Sequence, residues 1–149
     1  MAQTYFGSTV RAGSTALTDT VDGGFTVLSQ TTTVTTAAAG TATSATLTLP
    51  ASSQIIDFMV DTVTNEVVGG GTATAIAMTI GTAAAGTQYV SSTDVFAGGR
   101  IALSFTAAQL TAMSDIGTSQ NVVITVDPDG TISTTQGVYR LTVVYSQKI

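Results

Sequence analysis

Apolar and polar residues alternate along several segments of the chain, and a period of two residues is typical of β-strands. The alternation is clearest over 54–63, where Ile56 and Phe58 fall on one face and Asp57 falls on the other. It recurs over 138–145, near the end of the chain. An amphipathic helix would instead repeat its apolar face about every 3.6 residues. The pattern therefore predicts an all-β protein.

The number and spacing of these segments favour two packed sheets. We predict roughly eight strands with turn signals about every 8–12 residues, which is typical of a β-sandwich or closed barrel. Strands with one apolar face bury it by packing two antiparallel sheets together. A jelly-roll-like antiparallel β-sandwich is the first choice, and another Greek-key sandwich is the alternative. The predicted core consists of Ile56, Phe58, Ile76, Ile80, Leu103, Phe105, Ile124 and Leu141.

One short helix is predicted between the strands. Thr106 can cap its N-terminus, and Gln109, three residues later, can complete a capping box. Leu110 and Met113 would share its apolar face, and Gly117 would stop the chain from continuing as a helix.

The first 24 residues differ from the rest of the chain. They contain several glycines and no sustained periodicity, with one aromatic pair, Tyr5 and Phe6. We predict that residues 1–24 form an extended N-terminal arm and that residues 25–149 form the β-sandwich domain.

Three segments invite a catalytic or ligand-binding interpretation, and a structural one is stronger for each. Asp57 and Asp61 lie four residues apart on one strand, about 13 Å, which is wider than a glycosidase carboxylate pair. The sequence Asp-Pro-Asp-Gly over 127–130 lacks the further acidic ligands of a calcium loop. It predicts a turn with Gly130 in the left-handed conformation. The glycines of 69–71 precede no phosphate-loop lysine.

The composition excludes several classes of function. The chain has no Cys, His or Trp, so disulfides, the common zinc sites and the usual proton shuttle are missing. We expect no metal, no cofactor and no enzymatic activity. Nine carboxylates against four cationic side chains give a net charge of -5, which argues against nucleic-acid binding. The longest apolar stretch, 73–80, is far shorter than a membrane span, and we see no secretion signal at the N-terminus.

The scarcity of charge indicates a protein-contact function. Charged residues make up 9% of the chain, whereas a soluble surface usually carries about 25–35%. Desolvating hydroxyls and methyls costs less than desolvating Lys or Glu, so such a surface suits repeated protein contacts. Arginines can pair with a partner's carboxylates, and aromatic residues on an arm can be buried against it, although ordinary solvation is the alternative. The candidate interface residues are Tyr5, Phe6, Arg11, Arg100 and Arg140.

Three segments carry a resemblance to a known family: Leu-Thr-Leu-Pro-Ala-Ser-Ser-Gln-Ile-Ile-Asp over 47–57, Phe-Thr-Ala-Ala-Gln-Leu over 105–110, and Val-Tyr-Arg-Leu-Thr-Val-Val-Tyr over 138–145. In style and in these short phrases the chain resembles small virion proteins of tailed bacteriophages, the capsid decoration (cement) proteins. The resemblance spans most of the chain from residue 47 onward.

The resemblance implies a non-enzymatic protein of the virion. Such proteins are β-sandwich or jelly-roll domains that sit as oligomers on the outer surface of the capsid, where they bridge neighbouring capsid subunits against internal DNA pressure. It implies the major capsid protein as partner and a homo-oligomer, a dimer or trimer, in which residues 1–24 would reach across the lattice. A tail or fibre component of a virion and a glycan-binding β-sandwich module are the alternatives.

Overall fold

The computed structural model describes residues 25–114 and 116–148. The predicted arm, residues 1–24, lies outside these ranges, as do Tyr5, Phe6 and Arg11. The elements in chain order are β1 (Phe25–Thr35), β2 (Thr43–Leu49), β3 (Ser53–Thr64), β4 (Ile76–Gly81), β5 (Val90–Asp94), β6 (Arg100–Ile101), α1 (Ala107–Ala112), β7 (Gln120–Pro128) and β8 (Val138–Lys148).

These strands form two four-stranded antiparallel sheets, in the orders β1-β8-β3-β6 and β2-β7-β4-β5. Four of the six hydrogen-bonded pairs are nested along the chain: β1 pairs with β8, β2 with β7, β3 with β6 and β4 with β5. The other two, β3 with β8 and β4 with β7, join these pairs within each sheet. Nested pairing means that one long antiparallel hairpin has been rolled into two sheets, which is the jelly-roll topology. The predicted antiparallel β-sandwich is therefore confirmed, and its strand order is that of the first-choice jelly roll.

The core lies between the two sheets and follows the predicted alternation closely. In β8, the side chains of Tyr139, Leu141 and Val143 are fully buried, whereas Arg140 between them is exposed. Leu103 and Phe105 are only partly buried, because the strand predicted there is reduced to the two residues of β6. The predicted core residues that are buried are Phe58, Ile76, Ile80, Ile124 and Leu141.

The prediction for Ile56 is wrong because β3 contains a β-bulge. Ile55 pairs with Tyr145 of β8, and Asp57 pairs with the adjacent Val144, so Ile56 is an extra residue in the ladder. The buried position therefore moves one residue toward the N-terminus: Ile55 is 3% exposed and Ile56 is 49% exposed. Ile56 and Asp57 both lie on the outer side of the sheet, as expected where two residues oppose one.

The short helix forms where the sequence predicts it. Thr106 is its N-cap, and the Thr106 hydroxyl and the Gln109 side chain make both bonds of a capping box. Met113 at the C-terminal end is buried, but Leu110 is 55% exposed, so these two residues do not share a buried face as predicted. Gly117 lies beyond the end of the helix, which stops at its cap residue Met113. Within the described residues, no helix is long and apolar enough to cross a membrane.

The turn predicted over 127–130 does not form, and the chain only bends at 129–130 after the end of β7. Strand β7 continues through Pro128, which pairs with Ile76 of β4. Gly130 does not have positive φ; a side chain there would lie 2.5–2.8 Å from atoms of Thr72 and Ala73, so close approach is the reason for glycine.

Asp129 links the connection that follows β7 to the segment before β4 through hydrogen bonds. Its carboxylate accepts hydrogen bonds from the Thr74 hydroxyl (2.6 Å) and from the N–H groups of Thr74 (2.7 Å) and Ala75 (3.0 Å). The Thr74 hydroxyl first, and then these N–H groups, hold the pKa of Asp129 below its ordinary value. The acidic residue predicted as part of a turn therefore acts as a structural acceptor.

Candidate protein-contact face

The outer side of the β1-β8-β3-β6 sheet is the surface on which sequence-predicted interface residues meet. Its residues alternate with the buried ones of the same strands, so their side chains point away from the core. We call this surface the front face. It is formed by Ser29, Thr31 and Thr33 of β1, Arg140, Thr142 and Val144 of β8, Ile56, Asp57, Met59 and Asp61 of β3, and Arg100 of β6.

A charged row crosses the front face at one level of the sheet. The register places Thr33 opposite Arg140, Arg140 opposite Asp61, and Asp61 opposite Arg100. Nη2 of Arg140 donates to Oδ2 of Asp61 at 3.4 Å, and Nε of Arg100 lies 4.0 Å from Oδ1 of the same carboxylate. The structure therefore brings together two of the predicted interface residues, Arg100 and Arg140, around one acidic residue.

The two arginines of this row can still donate hydrogen bonds to another molecule. Two guanidinium groups share a single carboxylate, so the row carries one net positive charge. The side chains of Arg100 and Arg140 are 63% and 50% exposed, and each guanidinium has five N–H donors in a planar fork. Exposed pairs of this kind contribute only about 0–1 kcal/mol to folding. The arrangement thus contributes little to stability, while its remaining donors can reach a carboxylate on another molecule.

The rest of the front face has little charge. Below the charged row, the register aligns Thr31, Thr142 and Met59 across three strands. The next row contains Val144 of β8 and Asp57 of β3, whose Oδ1 accepts the N–H of Phe58. Most of these residues are short or β-branched, so this part of the face is flat and has few groups that resist desolvation.

The outer side of the second sheet has a similar character, and we call it the back face. The connection between β4 and β5 partly covers it: Ala85 donates its N–H to Oγ1 of Thr125 at 2.9 Å, and that oxygen also contacts the hydroxyl of Ser44 at 2.8 Å. Ala85 has φ of 57°, which is unusual for a residue with a Cβ. The exposed residues of the back face include Ser44, Thr46 and Thr48 of β2 and Asn121 and Asp127 of β7.

A buried tyrosine on the core side of β8 is hydrogen-bonded to a partly buried carboxylate. Oη of Tyr139 donates to Oε2 of Glu66 at 2.6 Å, and the Tyr139 side chain is fully buried. Burial, and then the bond to Glu66, raises the pKa of Tyr139 above its ordinary value of 10.0. A phenol that resists ionisation is a poor nucleophile and a poor base at neutral pH. The pair is a structural hydrogen bond.

The other acidic residues weighed as sites are dispersed. Asp57 and Asp61 both lie on the front face, as the solvated-face interpretation predicts, and only Asp61 contacts the arginines. In the part of the chain that the structure describes, no group of three or more His, Cys, Asp or Glu side chains is arranged to hold a metal ion.

Sequence reasoning did not single out Asp61 as the partner of both arginines. The period of two placed Asp61 on the outer side of β3 correctly. The contact also depends on which strands are neighbours and in which register, because β3, β6 and β8 are distant along the chain. A comparison of the chain with protein-family models, curated proteins and solved structures finds no match.

Proposed function

We propose that this protein is a structural component of a tailed-phage virion that decorates the outer surface of the capsid and bridges neighbouring subunits of the major capsid protein. The observation that supports this proposal best is the chemistry of the two sheet faces. Rows of Ser and Thr side chains project from β1 and β2, and the charged groups of the front face are concentrated in one row and Asp57. The resemblance to decoration proteins supports the same conclusion.

Faces of this chemistry favour association because little has to be desolvated. A stable interface buries about 800 Å² on each partner and is depleted in charged residues at its centre. The back-face residues Thr46 and Thr48 project from β2 without intervening charges. Removing water from a threonine costs less than removing it from a charged side chain, so such a row can be covered by a neighbouring protein at low cost.

The sandwich geometry suits a bridging role. The front and back faces point in opposite directions because they are the outer sides of two packed sheets. One copy can therefore contact two neighbouring molecules at once. A protein that binds only the assembled shell stabilises it by mass action, by about 2.7 kcal/mol per site at 100 times the dissociation constant.

The test is the heat stability of phage heads with and without the protein. Heads lacking the protein are prepared, the purified chain is added back, and DNA release on heating is followed with a dye that cannot enter intact heads. We expect the added protein to raise the temperature of DNA release. No shift at saturating protein would contradict the proposal, and binding on a glycan array would then favour the glycan-binding alternative.

A pair of double variants makes this experiment specific to the back face. Thr46→Glu with Thr48→Glu places two charges on β2, where an interface would have to desolvate them. The control, Thr118→Glu with Ser119→Glu, places the same charges on exposed residues before β7. We expect the first variant to lose most of the shift in release temperature and the control to retain it. Equal shifts for both would show that the back face is not used.

A further inference from the structure

We propose that the front face binds a second copy of this chain, with the two copies packed face to face about a two-fold axis that runs parallel to the strands between β8 and β3. The observation behind this inference is the order of charges in the row that crosses the sheet. From β1 to β6 the row is neutral, positive, negative and positive, at Thr33, Arg140, Asp61 and Arg100.

This order is complementary to itself when reversed. A two-fold axis between β8 and β3 places β8 of each copy over β3 of the other and β1 over β6. Arg140 then faces Asp61 of the second copy, and Asp61 faces its Arg140. Arg100 faces neutral Thr33 at both edges. No like charges oppose each other in this arrangement, and the same contacts occur twice, as an isologous dimer interface requires.

The rest of the face is compatible with the same axis. The next row aligns Thr31, Thr142 and Met59, so Thr142 of each copy meets Met59 of the other. Packing two sheets with their strands nearly aligned is the common geometry of β-sandwiches. Three strands spaced about 4.8 Å apart and about 30 Å long, together with the two residues of β6, cover about 450 Å² per copy, so we expect a weaker dimer than a standard interface of about 800 Å² per partner would give.

One charge on the face has no counterpart in this arrangement. Asp57 lies opposite Val144 of the second copy, because the two residues are paired across β3 and β8 in each chain. Desolvating this carboxylate opposes association. Asp57→Asn removes the charge and keeps the shape, and we expect it to tighten self-association several-fold. Weaker association of the variant would contradict the proposed axis.

The decisive experiment uses two variants that cannot pair with themselves but can pair with each other. Asp61→Arg makes three residues of the row positive, and Arg140→Asp makes its two central residues negative. In either homodimer, like charges oppose each other twice across the axis; in the mixed dimer, opposite charges meet at both positions. We expect each variant alone to lose self-association by at least about 100-fold and an equimolar mixture to form dimers again.

Sedimentation equilibrium or light scattering of the purified proteins over a range of concentrations measures this directly. The matched control is Asp127→Arg, a comparable charge reversal on the back face, which we expect to leave the dimer intact. A monomeric wild-type protein at high micromolar concentration would overturn the proposal. A wild-type dimer that both front-face variants leave unchanged would overturn it as well.

This inference goes beyond the capsid-binding proposal and does not depend on it. Self-association is measured without a shell, so a dimer without heat protection of heads would contradict only the decoration function. Heat protection by a protein that stays monomeric would contradict only the front-face dimer.

Discussion

The phenol of Tyr139 is the buried group whose ionisation should limit stability in alkali. Its folded pKa is raised, so its contribution is fully present below the unfolded value of 10.0 and is lost as pH rises above that value. Burial raises the pKa of Tyr89 in the same direction. Each such group steepens the fall of unfolding free energy by up to about 1.4 kcal/mol per pH unit.

Replacing Tyr139 with phenylalanine tests this account. At neutral pH, Tyr139→Phe should reduce the unfolding free energy by about 1–2 kcal/mol, because the bond to Glu66 is lost. Between pH 10 and 12 its stability should fall less steeply than that of the wild type. Urea unfolding followed by circular dichroism measures both effects. Identical slopes for the two proteins would mean that Tyr139 ionises as readily in the folded state as in the unfolded chain.

Ala85 is a second residue whose replacement should change the free energy of unfolding measurably. Its φ of 57° is unfavourable for a side chain with Cβ, whereas glycine adopts it readily. We expect Ala85→Gly to stabilise the protein by up to about 1 kcal/mol. The neighbouring Ala84 does not have positive φ, so Ala84→Gly should destabilise by about 0.4–1 kcal/mol through unfolded-state entropy. The midpoint temperatures of thermal unfolding should therefore shift in opposite directions for the two variants, upward for Ala85→Gly and downward for Ala84→Gly.

At the scale of single elements, the bulge in β3 determines which of two adjacent isoleucines is buried. Ile55→Ala should cost about 2–5 kcal/mol, because it leaves a cavity in the core. Ile56→Ala should cost less than about 1 kcal/mol, because its side chain is half exposed. Chemical denaturation of the pair measures this directly. A larger loss for Ile56→Ala than for Ile55→Ala would indicate that β3 pairs with β8 without the bulge.

The capping box of α1 offers a second test at this scale. Thr106→Ala removes the hydroxyl that accepts the N–H of Gln109, and we expect a loss of about 0.5–2 kcal/mol. Thr111 is an exposed threonine inside the same helix, so Thr111→Ala is a matched control. Because alanine has the higher helix propensity, we expect the control to be neutral or slightly stabilising. Equal losses in thermal unfolding would argue against a capping role.

The individual strands and the helix could be predicted from the sequence better than the order and register in which the strands pair. The period of two identified β8 and most of the core, and the Thr106–Gln109 spacing located the helix, because these signals are local. The bulge at Ile56 left no signal, since alternation resumes beyond it. The shortness of β6 was likewise missed, because the alternating residues Leu103 and Phe105 follow it outside any strand.

At the scale of the whole molecule, nested pairing of β1 with β8 through β4 with β5 determines which distant residues meet. The nested pair of β3 with β6 joins Asp61 to Arg100, and rolling the hairpin into two sheets places β8 beside β3, which joins Asp61 to Arg140. Composition predicted a protein with a surface suited to contacts. The self-complementary order of charges on the front face required the strand order and the register, which no local pattern contains.

We propose that this sandwich is a contact module on the outside of a virion shell. A cryo-microscopy map of phage particles that carry the chain is the decisive measurement. The account predicts eight-stranded jelly-roll density on the outer capsid surface, with each copy touching at least two neighbouring proteins through its sheet faces. Density for the chain in the tail alone, or on the capsid with both sheet faces exposed to solvent, would contradict it.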